Sequence, residues 1–340
     1  MTAWLTDRML PLAELHLHVE GTLEAELLIT LARRNGVTLP SYDPDVLTAR
    51  YANFADLQSF LDVYYANLAV LRTEADFYDL ATAYLTRAAA AGVRRAEMFC
   101  DPQTHLRNGV PLEAVFDGFG AAIADARRNA GISADLIVCF LRDLGGDAAV
   151  ELLRAALPFR DRFIGVGLDS AEVGYPPRLF RRAYEIAAAE GLHRVAHAGE
   201  EGGPDYVWEA LDVLGVERID HGTRALEDPD LVARLRDDRL PLTVCPLSNV
   251  ALRGVDRLEE HPLRAMLDLG LVATVNSDDP AYFGGGIDAN FAAVRTALGV
   301  SDAEVALLAA NSFEAAFIDD ADRAGWLGEV AARAAGTASD

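Results

Sequence analysis

No lysine occurs among the 340 residues, so all 30 basic side chains are arginine. That absence excludes Schiff-base chemistry, pyridoxal-phosphate attachment, a P-loop and any metal site bridged by a modified lysine. Positive charge is scarce altogether. Against 53 acidic residues the formal net charge is −23, which argues against nucleic acid or an anionic membrane surface as a partner, because both require clustered cations. Small neutral or weakly basic ligands fit better. Cysteine is also rare: Cys100, Cys139 and Cys245 lie far apart, each in an apolar run, and with no Cys-x-x-Cys they read as buried free thiols. A long apolar run is missing from the first twenty residues, where Asp7, Arg8, Glu14 and two histidines interrupt it. Neither a secretory h-region nor a spanning helix is expected there, and a cytoplasmic protein follows.

What is present is a core-forming composition, 51% hydrophobic, arranged as strand-like runs with helical spacers. The spacing predicts strands near Ala13–Val19, Val93–Cys100, Ile132–Leu141, Phe163–Leu168, His193–His197, Arg218–His221, Leu242–Cys245 and Leu271–Val275. Between them, segments such as Arg178–Glu190 and Asp228–Asp237 repeat apolar residues at helical spacing. Eight strand-helix units imply a parallel sheet closed into a (β/α)8 TIM barrel, within a single domain spanning 1–340. The spacer after the first strand, about seventy residues long, is too long for one crossover helix. It is expected to form a helical insertion (23–91) over the barrel mouth, carrying Tyr51, Phe54, Phe60, Tyr64 and Tyr65. Extra helices are expected over 288–333, followed by a frayed polar tail, 336–340.

In such a barrel, chemistry collects where strands end at their C-terminal mouth. The first strand ends in His16-Leu17-His18, two imidazoles whose spacing on a strand turns them to the same side, as paired metal ligands require. An isolated His-x-His is as often structural. Here the fifth strand adds His197-Ala198-Gly199-Glu200, the sixth Asp220-His221, and the eighth Asn276-Ser277-Asp278-Asp279, so four of seven histidines fall on one rim. Three imidazoles and a carboxylate, His16, His18, His197 and Asp278, suit Zn2+, with Fe2+, Co2+ and Mn2+ also compatible. Glu200 is placed for general acid work, which needs its pKa raised by burial. His221 is placed to orient or deprotonate a water, and Asp279 to bind substrate.

These residues closely resemble the adenosine/adenine/AMP deaminase family of the amidohydrolase superfamily. The resemblance rests on His-Leu-His-Val-Glu-Gly-Thr (16–22), His-Ala-Gly-Glu (197–200), Ile-Asp-His-Gly (219–222), Cys-Pro-Leu-Ser-Asn (245–249) and Val-Asn-Ser-Asp-Asp-Pro (275–280), in order along nearly the whole chain. It implies that zinc-bound hydroxide attacks C6 of a 6-aminopurine, that Glu200 protonates N1, that His221 assists the water and that Asp279 bonds N7, releasing ammonia and a 6-oxopurine. Deaminases that ligate zinc with Cys-x-x-Cys on another fold are excluded by the cysteine spacing.

Within the family the chain looks most like the adenine deaminases. The signs are Glu20, Asp101-Pro102-Gln103-Thr104-His105, Asp169-Ser170-Ala171-Glu172-Val173-Gly174, and Pro280-Ala281-Tyr282-Phe283-Gly284-Gly285. Glu20, on the parity of the histidine pair, and Glu172 are expected to occupy space that a ribose needs, favouring free adenine in purine salvage. Two departures, Leu106 and Gly286, are expected to alter an edge of the site and keep N6-substituted adenines in view as alternative substrates, alongside adenosine. A metal phosphoesterase and a non-catalytic purine-binding protein are the remote alternatives. Apolar residues on surface helices leave a homo-oligomer open.

Overall fold

The computed structural model describes residues 10–51 and 54–336. Eight parallel strands run in sequential order: β1 (Leu12–His18), β2 (Val93–Cys100), β3 (Ser133–Leu141), β4 (Gly165–Asp169), β5 (His193–Ala198), β6 (Arg218–His221), β7 (Leu242–Val244) and β8 (Ala273–Val275). The last closes onto the first just beyond its own end. Asp278 N–H donates to His16 O at 3.1 Å, and His18 N–H donates to Asp278 O at 2.9 Å. This is the expected TIM barrel. Its strands are buried along nearly their whole length because an outer layer of helices covers one face and the packed interior the other.

After β1 come α1 (Ala25–Asn35), α2 (Pro44–Ala49), α3 (Leu57–Asn67) and α4 (Glu74–Ala90), the anticipated insertion. Asp56 and Ser59 form a reciprocal cap at the start of α3, satisfying donors its first turn leaves free. Around the barrel follow α5 (Pro102–Arg107), α6 (Leu112–Asn129), α7 (Gly145–Ala156), α8 (Arg181–Ala189), α9 (Pro204–Glu209), α10 (Pro229–Asp237), α11 (Pro246–Ala251) and α12 (Leu263–Asp268). Three helices close the described chain: α13 (Ile287–Leu298), α14 (Asp302–Ala315) and α15 (Asp320–Ala334). Residues 337–340 of the predicted frayed tail lie outside the described residues, as do Asp7 and Arg8. Among those described, no helix is long and apolar enough to cross a membrane.

One irregularity in β1 positions the site. Between Glu14 and Leu17 the chain advances three residues while β2 advances two, from Ala96 to Met98, so β1 bulges there. Glu14 therefore reaches Tyr84 of α4, whose hydroxyl donates to it at 2.7 Å, whereas His16 and His18 gather with His197 and Asp278. The strand then stops at His18 and Glu20–Thr22 turns into a 3-10 helix, so strand parity does not extend to Glu20. Beneath this, a buried ion network braces the barrel: Arg218 donates to Glu97 at 2.7 Å, and Glu97 also accepts from Arg95 and from Phe317 N–H.

Candidate active site

Four ligand atoms, from His16, His18, His197 and Asp278, lie within 4.8 Å of one another and all four residues are buried. Asp278 Oδ1 is 3.5 Å from both His16 Nε2 and His18 Nε2, and His18 Nε2 is 3.3 Å from His197 Nε2. A tetrahedral ion with nitrogen and oxygen ligands at about 2.0–2.1 Å spaces those atoms roughly 3.3–3.4 Å apart, so the observed separations fit a divalent cation. His16 Nε2 is buried with no hydrogen-bond partner, as expected of a lone pair reserved for a metal.

The far side of each imidazole supports this reading. His16 Nδ1 is 2.9 Å from Thr243 Oγ1 and 3.1 Å from Thr243 O, His18 Nδ1 is 3.6 Å from Asp169, and His197 Nδ1 is 3.7 Å from Asp220. Acceptors behind the Nδ1 atoms leave the Nε2 atoms free to ligate. Cys245 also lies near His16, His221 and Asp278, but burial holds its thiol well above the ordinary range. All three cysteines are buried and free.

Burial and the histidine charges determine protonation. Burial pushes His197 well down, reinforced by His16, His221 and His18, and His221 is lowered well for the same leading reason. Burial thus favours the neutral imidazole in both. Burial alone would raise Asp278, but His16, His221 and His18 override it and hold its carboxyl well below the carboxylate range. Glu200 goes the other way: burial first, then the Asp278 charge, hold it well above its ordinary value, and Asp279 is raised by the same two causes. Two adjacent aspartates are thereby driven apart. His221 and Asp278 both adopt left-handed backbone (φ 65° and 64°), a conformation that costs a non-glycine residue about 1 kcal/mol or more.

These groups share one cavity, of about 390 Å³ with part of it open to solvent. Glu200, His221, Asp278 and Asp279 line it with Asp101, Asp169 and Ser170, and α3 roofs it with Leu57, Phe60, Leu61, Tyr64 and Tyr65. Gly21 packs so closely beneath Asp279 that an added Cβ would lie 1.9 Å from its Oδ1. Asn67, at the end of α3, ties the roof down by donating to the Tyr51 and Tyr282 hydroxyls at 3.0 Å each.

Four expectations about the edge of the site need correction. Glu172 does not line the cavity: its two oxygens accept N–H bonds from Gly199, Glu200, Glu201 and Gly202 at 2.8–3.1 Å. It anchors the loop that carries Glu200. Glu20 lies behind the cavity wall, where its Oε1 accepts from Asp101 N–H at 3.1 Å and sits 2.9 Å from His105 Nε2. Leu106 is 42% exposed on α5, and Gly286 caps α13 beside a separate cleft lined by Glu14, Tyr84 and Arg87. The physical reasons are local: β1 ends before Glu20, the loop after β4 turns Glu172 back onto the backbone of 199–202, Leu106 lies on the outer face of α5, and Gly286 caps α13.

Sequence reasoning also missed a relay behind His221. Leu263 N–H donates to His261 Nδ1 at 3.1 Å, so neutral His261 carries its proton on Nε2, which is 3.1 Å from Asn249 Oδ1. Asn249 Nδ2 then donates to His221 Nδ1 at 3.3 Å. The His221 proton is left on Nε2, facing Glu200 Oε2 at 3.5 Å and Asp278 Oδ2 at 3.8 Å. Asn249 stood inside a motif and His261 lies 12 residues beyond it, but only their contact reveals the relay.

Comparison with known proteins agrees with this geometry. A sequence profile of the adenosine deaminase family matches residues 11–333. The chain is 62% identical over 325 residues to an adenine deaminase of Streptomyces coelicolor, covering 95% of each. It superposes on the crystal structure of an adenine deaminase from Arthrobacter aurescens with a TM-score of 0.93 at 55% identity, covering 94% of this chain and 98% of that one. An amidohydrolase from Burkholderia ambifaria with bound Zn superposes with a TM-score of 0.89 at 31% identity, covering 97% and 93%.

Proposed function

The chain belongs to the adenosine deaminase family and is a deaminase, and from that premise we propose that it hydrolyses adenine to hypoxanthine and ammonia, serving purine salvage. The observation that carries the proposal is the convergence of the four-ligand cluster, Glu200 and Asp279 on one aromatic-roofed cavity. Zinc held by His16, His18, His197 and Asp278 would supply Lewis acidity, lowering the pKa of water at its open position towards about 7.

The chain's own residues do the rest. Glu200, its pKa raised first by burial and then by the Asp278 charge, delivers its proton to N1 and makes C6 electrophilic. His221 directs its Nε2 proton at the oxygen of the attacking water and orients it towards C6. Asp279, also raised, donates to N7. Of the two water protons, one returns to Glu200 and the other passes to the departing N6 amine, so the C6–N6 bond breaks as ammonia leaves and the water oxygen remains as the 6-oxo group. Leu57, Phe60 and Leu61 exclude bulk water from the ring, and Tyr64 and Tyr65 offer aromatic surface to it.

The cavity supports this over the alternatives. Among the described residues no arginine lines it, which disfavours a phosphate ester. With Leu106 and Gly286 outside its wall, no residue singled out for N6-substituted adenines borders it. The test is turnover of adenine, adenosine, AMP and N6-methyladenine by zinc-loaded protein, read as ammonia and purine product. Adenine should be the preferred substrate. Ammonia from adenosine but not adenine would overturn the free-base reading, and no turnover at all would favour a binding protein.

A further inference from the structure

The cavity wall beside His18 contains two carboxyl groups that take no part in the proton transfers above. Asp101 follows β2 and Asp169 ends β4, and each is 2% exposed. Their oxygens lie within 4.8 Å of each other and of His18. Both residues line the cavity, and apart from the 3.6 Å contact of Asp169 with His18 Nδ1 their inward oxygens face chiefly each other; burial, then the Asp169 charge, holds Asp101 well up, so the pair is short of donors. Asp101 Oδ2 has only a long contact, 3.4 Å from the Tyr64 hydroxyl. Buried acceptors left unsatisfied are costly, so a pair short of donors facing a cavity marks the place of a ligand donor.

The substrate's orientation says which donor. With C6 at the metal cluster, N1 at Glu200 and N7 at Asp279, the remaining N3–N9 edge of the purine meets the remaining polar lining, which is Asp101, Asp169 and Ser170. Ser170 already accepts from Tyr65 at 3.1 Å. We propose that Asp101 and Asp169 form the specificity-determining wall of the site, accepting the N9–H of a free 6-aminopurine and disfavouring any N9-substituted one. The inference rests on the deaminase reading above and extends it. A nucleoside has no N9–H, so it leaves these acceptors unpaired and also brings a sugar against a wall with no room for it. The wall is braced rather than soft: Glu20 holds the Asp101 backbone, and His105 holds Glu20. Free-base selection thus passes from Glu20 and Glu172, where the sequence suggested it, to the pair in front of Glu20.

The test is calorimetric titration of the metal-loaded full chain with hypoxanthine and 9-methylhypoxanthine, for the wild type, Asp101→Asn and Asp101→Ser, alongside metal content and adenine turnover. The wild type should bind hypoxanthine at least about 30-fold more tightly than the 9-methyl compound, about 2 kcal/mol, as expected when a buried acceptor loses its partner. Asp101→Asn keeps the shape but turns a donor amide towards N9–H. It should lose about 30-fold in hypoxanthine affinity and less than about threefold for the 9-methyl compound, with metal retained. Asp101→Ser withdraws the acceptor by shortening the side chain and opens space, bringing the two ligands within about threefold of each other. Equal affinity of the wild type for both ligands, or an equal loss of both in Asp101→Asn, would overturn the proposal. Turnover of adenine without N9–H selectivity refutes this inference alone, whereas absence of turnover refutes the reading beneath it.

Discussion

Replacing His261 by glutamine probes the buried relay behind His221 through protein stability. His261 is 2% exposed, and burial holds its pKa at about 4, below the ordinary 6.5. The folded-state value is depressed, so between those two values the unfolded chain takes up a proton that the folded chain does not. Its contribution to stability is therefore complete above pH 6.5 and is lost as pH falls towards 4. The full difference is on the order of 3 kcal/mol, and between pH 7 and pH 5 the linkage relation gives about 2 kcal/mol. Glutamine can still pair with Leu263 N–H and Asn249 but cannot titrate. Urea denaturation at pH 7 and pH 5 should show the wild type losing about 2 kcal/mol more than His261→Gln over that interval. Other histidines contribute equally to both proteins and cancel. Parallel losses in the two proteins would refute the reasoning that His261 is held neutral by burial.

His16→Ala should lower metal content by at least tenfold, because a four-ligand site reduced to three loses affinity steeply, and full occupancy with full activity would sink the ligand assignment. Glu200→Gln should keep its metal while kcat falls by about 10²–10⁴, and the alkaline limb of the wild-type rate profile, where Glu200 loses its proton, should disappear. Because a raised acid must stay protonated to act, wild-type activity should fall as pH rises through the Glu200 pKa rather than as it falls through it. Asn249→Asp, which substitutes an acceptor for the donor facing His221 Nδ1, should move the His221 proton and reduce kcat more than it raises KM. Gly21→Ala should displace Asp279 and depress kcat/KM while the far-ultraviolet circular dichroism stays unchanged, since the added Cβ overlaps Asp279 Oδ1 rather than backbone.

Much of the barrel was legible because parallel strands buried on both faces appear as apolar runs, and β2 and β6 match their expected limits. Ends were less so. β8 starts at Ala273 instead of Leu271, and β4 extends to Asp169, because pairing with a neighbouring strand determines where a strand begins and stops. The metal candidates were legible for a related reason: a polar residue closing an apolar strand must face the mouth, whatever its distant neighbours. Glu172 was misread because nothing local distinguishes a carboxylate that contacts substrate from one that accepts four backbone N–H bonds from a loop 27 to 30 residues away.

The order of residues along the chain thus determined the strand-helix alternation, the rim on which His16, His18, His197 and Asp278 stand, and the exclusion of lysine, P-loop and nucleic-acid chemistry. The tertiary structure decided which acidic groups are charged, which lone pairs are left free and which carboxyls face the cavity. Those properties depend on burial and on approaches of 3–4 Å between residues far apart in sequence, as when Asp101 and Asp169 meet across β2 and β4, and local pattern carries neither.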